Sequence, residues 1–281
     1  MTFSTLISPE QLAAQQGAAD LLIVDCRFEL SNPASGAQAY AQSHLPGAIY
    51  ADLDHDLSDL SKTGLGRHPL PDAAAFSAVL SRWGWTPETR VVAYDDAGGA
   101  LAAARLWWML RSVGAREVAV LDGGFKAWRE ASLPLEAAVP QRAATQVSVD
   151  FDAAAIVYTD TLQQLGDAAL LLDARGAPRF RGEVEPIDPV AGHVPGARNR
   201  PLTDNFDARG RYKSAEVLRA EFDTLLGGRA PADVIHMCGS GVSACANLLA
   251  MEYAGLSGSR LYAPSWSGWI SDPARPVATG T

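Results

Sequence analysis

One cysteine stands where the surrounding pattern could give its sulfur unusual chemistry. Cys238 follows a short apolar run, 234–237, and precedes a helical stretch, 243–253. A strand-to-helix turn with two glycines lets the backbone curl so that its N–H groups point inward and hold an anion. Those N–H groups and the positive end of the helix dipole favour a thiolate over a thiol. The residues expected to form this cradle are Gly239, Gly241, Val242 and Ser243.

The same turn bears on phosphate chemistry, because His236-x-Cys238 resembles the His-Cys-x5-Arg signature of cysteine phosphatases. The position of the signature's arginine is Ala244 here. Without a guanidinium to clamp the phosphoryl oxygens, phosphate-ester cleavage loses its main transition-state support. The loop can instead hold a terminal sulfur on Cys238, since several backbone N–H donors satisfy a persulfide anion. A phosphatase is therefore the disfavoured alternative.

Composition limits the classes of function. The chain has 281 residues, 48% of them hydrophobic and 20% charged, in the range of soluble globular proteins. A net charge of −9 argues against a nucleic-acid partner, although a local arginine cluster could still bind a small anion. No apolar run reaches the roughly 18 to 20 residues of a bilayer crossing, and no secretory signal begins the sequence. We therefore expect a cytoplasmic protein with no membrane partner, no metal site and no cofactor.

The sequence repeats itself once, in four ordered matches. The matched segments are 21–27 with 170–175, 44–48 with 193–197, 91–95 with 234–238, and 120–128 with 261–269. Each half alternates short apolar strands with helical stretches, which is typical of a parallel sheet flanked by helices. Segment 133–149 has no strong period and is the expected linker. The predicted fold is α/β, with domains at 1–137 and 150–281.

The loop from Cys238 to Cys245 is similar to the active-site loop of 3-mercaptopyruvate sulfurtransferases, which are relatives of thiosulfate sulfurtransferase (rhodanese). The resemblance covers essentially the whole chain. Its further motifs are Asp173-Ala174-Arg175, Arg179-Phe180, Glu185-Pro186, the two His-x-Pro-Gly-Ala motifs, and Ser265-Trp266 with Trp269. It implies two tandem rhodanese-like domains with catalysis in the second. The first is expected to be non-catalytic, because Asp95 stands where the second carries Cys238.

The resemblance also implies roles for individual residues. Cys238 would be the nucleophile, and Ser240 would act with His68 and Asp54 to relay a proton toward the leaving enolate. Arg179 would bind the carboxylate or sulfonate of the donor. The family often supplies a second arginine after the Glu-Pro pair, where this chain has Ile187; Arg181, Arg198 or Arg200 are the candidates to replace it. The family's terminal Asp-Gly-Ser-Trp-x-Glu-Trp also differs, reading Ala-Pro-Ser-Trp-Ser-Gly-Trp at 263–269.

The expected function is transfer of a sulfane sulfur from 3-mercaptopyruvate, through a Cys238 persulfide, to a thiol or cyanide in two ping-pong steps. A thioredoxin-like protein is a candidate thiol acceptor. Two alternatives stay open: an enzyme that uses thiosulfate as donor, and a non-catalytic rhodanese-like binding module. The intact cysteine loop counts against the module.

Other conspicuous residues have structural interpretations. Cys26 and Cys245 are expected to lie in the core. His44 and His193 recur at matching positions of the two halves, so we expect them to share a role in a turn.

Overall fold

The computed structural model describes residues 5–281, which divide into two compact units. The first comprises residues up to Asp59, Leu70–Asp152 and Arg209–Arg211; the second comprises Leu60–Pro69, Ala153–Ala208 and Tyr212–Thr281. The domain limits expected from sequence, 1–137 and 150–281, stay predictions, but by its contacts the segment Leu60–Pro69 belongs to the second unit. None of the helices within residues 5–281 has the length and apolar content that a bilayer crossing requires.

The first unit is a parallel sheet with helices. Its strands are β1 (Leu6–Ile7), β2 (Leu21–Asp25), β3 (Ala48–Tyr50), β4 (Arg90–Tyr94) and β5 (Val118–Leu121). Its helices are α1 (Pro9–Ala13), α2 (Ala34–Gln42), α3 (Ala73–Arg82), α4 (Ala102–Ser112) and α5 (Gly124–Glu130). All paired strands are parallel, and their order across the sheet is β1-β5-β4-β2-β3.

The second unit repeats this arrangement. Its strands are β6 (Ile156–Val157), β7 (Leu170–Asp173), β8 (Arg198–Asn199), β9 (Val234–Met237) and β10 (Arg260–Tyr262). Its helices are α6 (Thr159–Leu165), α7 (Ala177–Phe180), α8 (Ala215–Leu226), α9 (Ala244–Tyr253) and α10 (Ser265–Trp269), with 3-10 turns at Ala153–Ala155, Gly166–Ala168, Leu202–Asn205 and Pro231–Asp233. The strand order, β6-β10-β9-β7-β8, matches that of the first unit.

The predicted fold is confirmed: each unit is a five-stranded parallel sheet of the same topology. Every residue of the central strands β2, β7 and β9 is buried, as in sheets covered on both faces, and all of them are apolar except Asp25, Asp173 and His236. Asp25 pairs in register with Tyr94, and Asp173 with Met237. The residues that follow these strands, Asp95 and Cys238, therefore occupy equivalent positions.

The two recurring histidines have the structural role expected of them. The imidazole of His44 stacks on Tyr40, with ring centroids 4.0 Å apart, and that of His193 stacks on Phe180 at 3.8 Å. In each case Nδ1 donates to the carbonyl of the same aromatic residue, at 2.7 Å. Both imidazoles are buried, so they fix a chain turn.

The turn after β4 is closed by its own carboxylate. Asp95 Oδ1 accepts the N–H groups of Ala97 (2.9 Å) and Gly99 (2.7 Å), and Oδ2 accepts those of Leu101 (2.9 Å) and Ala103 (3.2 Å). Burial raises the pKa of the Asp95 carboxyl, and the four N–H bonds partly offset that effect. In the first unit, this side chain therefore takes the place of an anion held by the loop.

Replacing Asp95 by asparagine tests that arrangement. An amide offers one oxygen to four donors and turns an NH₂ group toward the others, so we expect Asp95→Asn to lower the free energy of unfolding by about 3 kcal/mol. The neighbouring Asp96→Asn is the matched control, because Asp96 is exposed and should change stability by less than about 0.5 kcal/mol. Urea denaturation followed by tryptophan fluorescence measures both. Equal midpoints for the two variants would show that the Asp95 charge does not hold the loop.

A second buried group makes the fold sensitive to acid. His236, inside β9, has Nε2 3.2 Å from Met251 Sδ, while its buried Nδ1 has no hydrogen-bond partner among residues 5–281. Burial lowers the pKa of His236 to about 3. In the unfolded chain the imidazole takes up a proton near its ordinary pKa, about 6.5. Its contribution to stability is therefore complete above about pH 6.5 and falls as the pH drops toward 3.

His236→Leu should remove this acid sensitivity. Leucine fills a similar volume without a titratable group, so we expect the loss of stability between pH 7 and pH 4 to be smaller in the variant, by on the order of 3 kcal/mol. Urea denaturation at a series of pH values measures the difference. His55→Leu is the control: the Asp52 hydrogen bond raises the pKa of this exposed histidine, so its removal should not reduce acid sensitivity. Parallel pH profiles for His236→Leu and the unmodified protein would contradict the assignment.

Candidate active site

The loop that carries Cys238 is fixed by its backbone to the start of α10. The Cys238 N–H donates to Ser265 Oγ at 3.1 Å, and its carbonyl accepts the Trp266 N–H at 3.0 Å. The Gly239 carbonyl accepts the Ser267 N–H at 2.9 Å. The terminal motif thus anchors the residue that ends β9 and sets the position of its side chain.

The sulfur of Cys238 lies inside the turn, as the glycine pattern predicts. The N–H of Gly241 points at Sγ from 3.2 Å, and a φ of 78° at Gly241 makes this possible. Cys238 keeps an exposed fraction of only 1%, so the sulfur is screened from water. Gly239, Val242 and Ser243 complete the turn before α9 begins at Ala244. Their part in holding a sulfur anion stays a prediction.

The other cysteines are in the core, as expected. Cys245, the second residue of α9, is fully buried, and its Sγ donates to the Gly241 carbonyl at 3.5 Å. Cys26 is fully buried in the first unit. The pKa of Cys26 is raised well above its ordinary value. Burial is the main cause, and the negative charges of nearby aspartates add to it. Cys26 therefore remains a thiol at neutral pH.

Ser240 and His68 meet beside the sulfur, within the second unit. Ser240 Oγ lies 2.8 Å from His68 Nδ1, and both side chains are buried. His68 reaches this place because the segment Leu60–Pro69 is part of the second unit. The structure therefore brings together two of the three residues that the resemblance assigns to proton transfer.

Asp54, the third of them, lies in the first unit. Its N–H donates to Asp52 Oδ1 at 2.8 Å. Burial, and then the charge of Asp52, raises the pKa of the Asp54 carboxyl. Its role beside His68 stays a prediction.

Arg179 belongs to a chain of alternating charges. Its Nε and Nη2 donate to the Glu185 carboxylate at 2.7 to 3.0 Å, and Nη2 also reaches Asp188 Oδ2 at 3.0 Å. Burial alone would raise the pKa of Glu185, but hydrogen bonds from Arg179 and the loop backbone lower it below its ordinary value. Arg175 continues the chain, 3.5 Å from Glu185 and 2.6 Å from the Asp173 carboxylate that ends β7.

Sequence reasoning missed Arg67 and Asp188. The Arg67 Nη1 donates to Asp188 Oδ1 at 2.5 Å, so Asp188 joins the guanidinium groups of Arg67 and Arg179. The available signal was adjacency, because Arg67 directly precedes His68, which was already a candidate.

The three arginines considered as substitutes are bound elsewhere. Arg181 pairs with Glu183 at 2.7 Å, Arg198 donates to the Leu225 carbonyl at 3.2 Å, and Arg200 pairs with Glu221 at 2.7 Å. Each of the three is thus hydrogen-bonded to a residue outside the Cys238 loop.

Comparison with known proteins agrees with this geometry. The sequence model of the family described as Rhodanese-like domain matches residues 8–131 and 158–272. A probable 3-mercaptopyruvate sulfurtransferase of Pseudomonas aeruginosa is 49% identical over 284 residues, covering 100% of both chains. A putative thiosulfate sulfurtransferase of Mycobacterium tuberculosis is 42% identical, over 98% of this chain and 97% of that protein. The structure of 3-mercaptopyruvate sulfurtransferase from Leishmania major superposes with a TM-score of 0.83 at 34% identity, covering 96% of this chain and 75% of that one.

Two family matches account for most of the chain, and a relative of the same length is identical at nearly half of its residues. The chain therefore belongs to the rhodanese family, as a member with two rhodanese-like domains.

Proposed function

We propose that this protein is a sulfurtransferase that takes a sulfane sulfur from 3-mercaptopyruvate onto Cys238 and passes it to a thiol or cyanide. The observation that carries the proposal is a juxtaposition on one loop. The Cys238 sulfur faces the Gly241 N–H at 3.2 Å, and Ser240 of the same loop is 2.8 Å from His68. A nucleophile and one member of a proton-transfer pair thus share one short turn, and the other member, His68, lies against it.

In the first step, the Cys238 thiolate attacks the sulfur of the donor. An S–S bond forms, the C–S bond of the donor breaks, and its electron pair goes to the enolate of pyruvate. The enolate needs a proton to leave as pyruvate, and the Ser240–His68 pair supplies it; their 2.8 Å contact supports this role. The persulfide left on Cys238 carries a terminal sulfur that the turn's N–H groups stabilise as an anion.

In the second step, the acceptor attacks the terminal sulfur of the persulfide. The S–S bond breaks and its electron pair returns to Cys238 Sγ, where the Gly241 N–H supports the thiolate. A thiol acceptor, including that of a thioredoxin-like protein, leaves as a persulfide, and cyanide leaves as thiocyanate. Each step moves one neutral sulfur atom, so neither an oxidant nor a reductant is consumed.

Thiosulfate is the second candidate donor, favoured by the name of the Mycobacterium tuberculosis relative. Its leaving group, sulfite, departs as a stable anion and needs no proton. The Ser240–His68 pair would have no proton to deliver in that reaction. For this reason we favour 3-mercaptopyruvate as the donor.

Cys238→Ser should abolish sulfur loading. Mixing the protein with 3-mercaptopyruvate in the absence of an acceptor should add the mass of one sulfur atom, and intact-protein mass spectrometry should show no addition to the variant. Cys26→Ala is the control: Cys26 lies buried in the first unit as a thiol, so this variant should load fully. A sulfur adduct on Cys238→Ser, or none on the unmodified protein with either donor, would refute the proposal.

Ser240→Ala should lower the rate with 3-mercaptopyruvate much more than the rate with thiosulfate. Without the hydroxyl, proton delivery to the enolate fails, so we expect kcat with 3-mercaptopyruvate to fall by about 100-fold or more, and kcat with thiosulfate to change much less. Thiocyanate formation measures both rates. Ser257→Ala, at an exposed serine of the same unit, should leave both rates unchanged. Equal losses with the two donors would rule out the proton-transfer role of Ser240.

A further inference from the structure

We propose that Arg67 is the second carboxylate-binding arginine of the site and holds the donor together with Arg179. This inference rests on the proposed function, since it names the groups that would recognise the donor's charged end. It assigns to Arg67 the part that position 187, an isoleucine, does not fill.

Two guanidinium groups converge on Gly239, the residue directly after the nucleophile. Arg67 Nη2 lies 3.1 Å from the position that a β-carbon would take at Gly239, and Arg179 Nη2 and Nη1 lie 3.7 and 3.8 Å from it. A carboxylate held there leaves the donor's sulfur, only two carbon atoms further along, next to Cys238. The absence of a side chain at Gly239 keeps this space open.

Each guanidinium has donors to spare on the side of the loop. Arg67 uses Nη1 for Asp188, and Arg179 uses Nε and Nη2 for Glu185 and Asp188. Among residues 5–281, neither Arg67 Nη2 nor Arg179 Nη1 has a hydrogen-bond partner, and Arg67 Nε is buried without one. An anion between the two arginines would therefore gain charge-assisted hydrogen bonds without breaking existing ones.

The two arginines are more exposed than the carboxylates that bind them, so an incoming anion meets the arginines first. The side chains of Arg67 and Arg179 are 27% and 19% exposed, whereas those of Asp188 and Glu185 are 2% and 4% exposed. Asp188 accepts one bond from each guanidinium, so it holds both at a fixed separation. The buried carboxylates thus hold the guanidinium groups on one side, and the donor would approach from the exposed side.

The segment that carries Arg67 is fitted closely to the terminal motif. The Arg67 N–H donates to Ser267 Oγ at 2.9 Å. Gly66 has a φ of 92°, and a β-carbon there would lie 2.4 Å from the Pro264 carbonyl oxygen. A β-carbon at Gly268 would lie 2.4 Å from Pro264 Cβ and 3.2 Å from the Gly66 nitrogen. Glycine is therefore required at both contacting positions.

This fit explains why two departures from the family's pattern occur together. Gly268 stands where the family usually has glutamate, and a glutamate side chain would begin against Pro264 and the backbone of Gly66. Removing it admits the segment that places Arg67 above the loop. Once Arg67 is there, an arginine at position 187 is no longer needed.

The test compares two donors that differ only in the carboxylate: 3-mercaptopyruvate and mercaptoacetone, the same mercapto ketone without it. Arg67→Met should lower kcat/KM for 3-mercaptopyruvate by about 10- to 100-fold, mainly through KM, because charge-assisted hydrogen bonds to the carboxylate are lost. With mercaptoacetone its kcat/KM should equal that of the unmodified protein. Arg67→Lys, which keeps the charge, should restore part of the loss, and inhibition by pyruvate should weaken in parallel with KM.

Arg181→Met is the matched control, since it removes an arginine that is paired with Glu183 away from the loop. It should leave both donors unaffected. An unchanged KM for 3-mercaptopyruvate in Arg67→Met would overturn the inference, and so would equal losses with both donors, because a purely structural role would give that result. Inactivity of the unmodified protein with 3-mercaptopyruvate would instead contradict the proposed function.

Discussion

Each of the two units contains a backbone turn, after β4 or β9, whose N–H groups point inward. Such a turn requires an electron-rich atom inside it. Buried N–H groups without an acceptor are costly, so each unit must provide one. The first unit does so with the Asp95 carboxylate, which accepts four N–H groups. In the second, Cys238 Sγ occupies the turn and faces the Gly241 N–H. One backbone design thus holds a fixed carboxylate in the first unit and the sulfur of Cys238 in the second, and in the proposed function that sulfur gains and loses an atom.

The proposed anion site does not require an excess of positive charge in the chain. The chain carries a net charge of −9, and the cluster beside the loop alternates three arginines with three carboxylates: Arg67, Arg175, Arg179, Asp173, Glu185 and Asp188. Buried ion pairs of this kind add little net stability, because desolvation offsets their attraction. Their effect here is orientation, since the carboxylates hold the planar guanidinium groups from one side and leave N–H groups on the other.

Short-range patterns in the sequence were sufficient for the fold and for the core of the site. The duplication, the strand before Cys238 and the helix after it depend on neighbours along the chain, and the structure has β9 and α9 within a residue of the expected limits. The burial of His68 was not predictable in this way. A proline-rich loop has no period that reveals its partner, and residues 60–69 join the second unit through contacts across some 200 positions, such as Arg67 with Ser267.

Arg67 was missed for the same reason, and it shows a limit of matching a family's pattern position by position. Each departure, at Ile187 and at Gly268, looks like the loss of a functional or structural residue when it is considered alone. In three dimensions they are linked, because Gly268 makes room for Gly66, and the chain after Gly66 brings a guanidinium to the loop. Under the proposal for Arg67, this chain keeps the positive charge beside the sulfur and supplies it from a different segment.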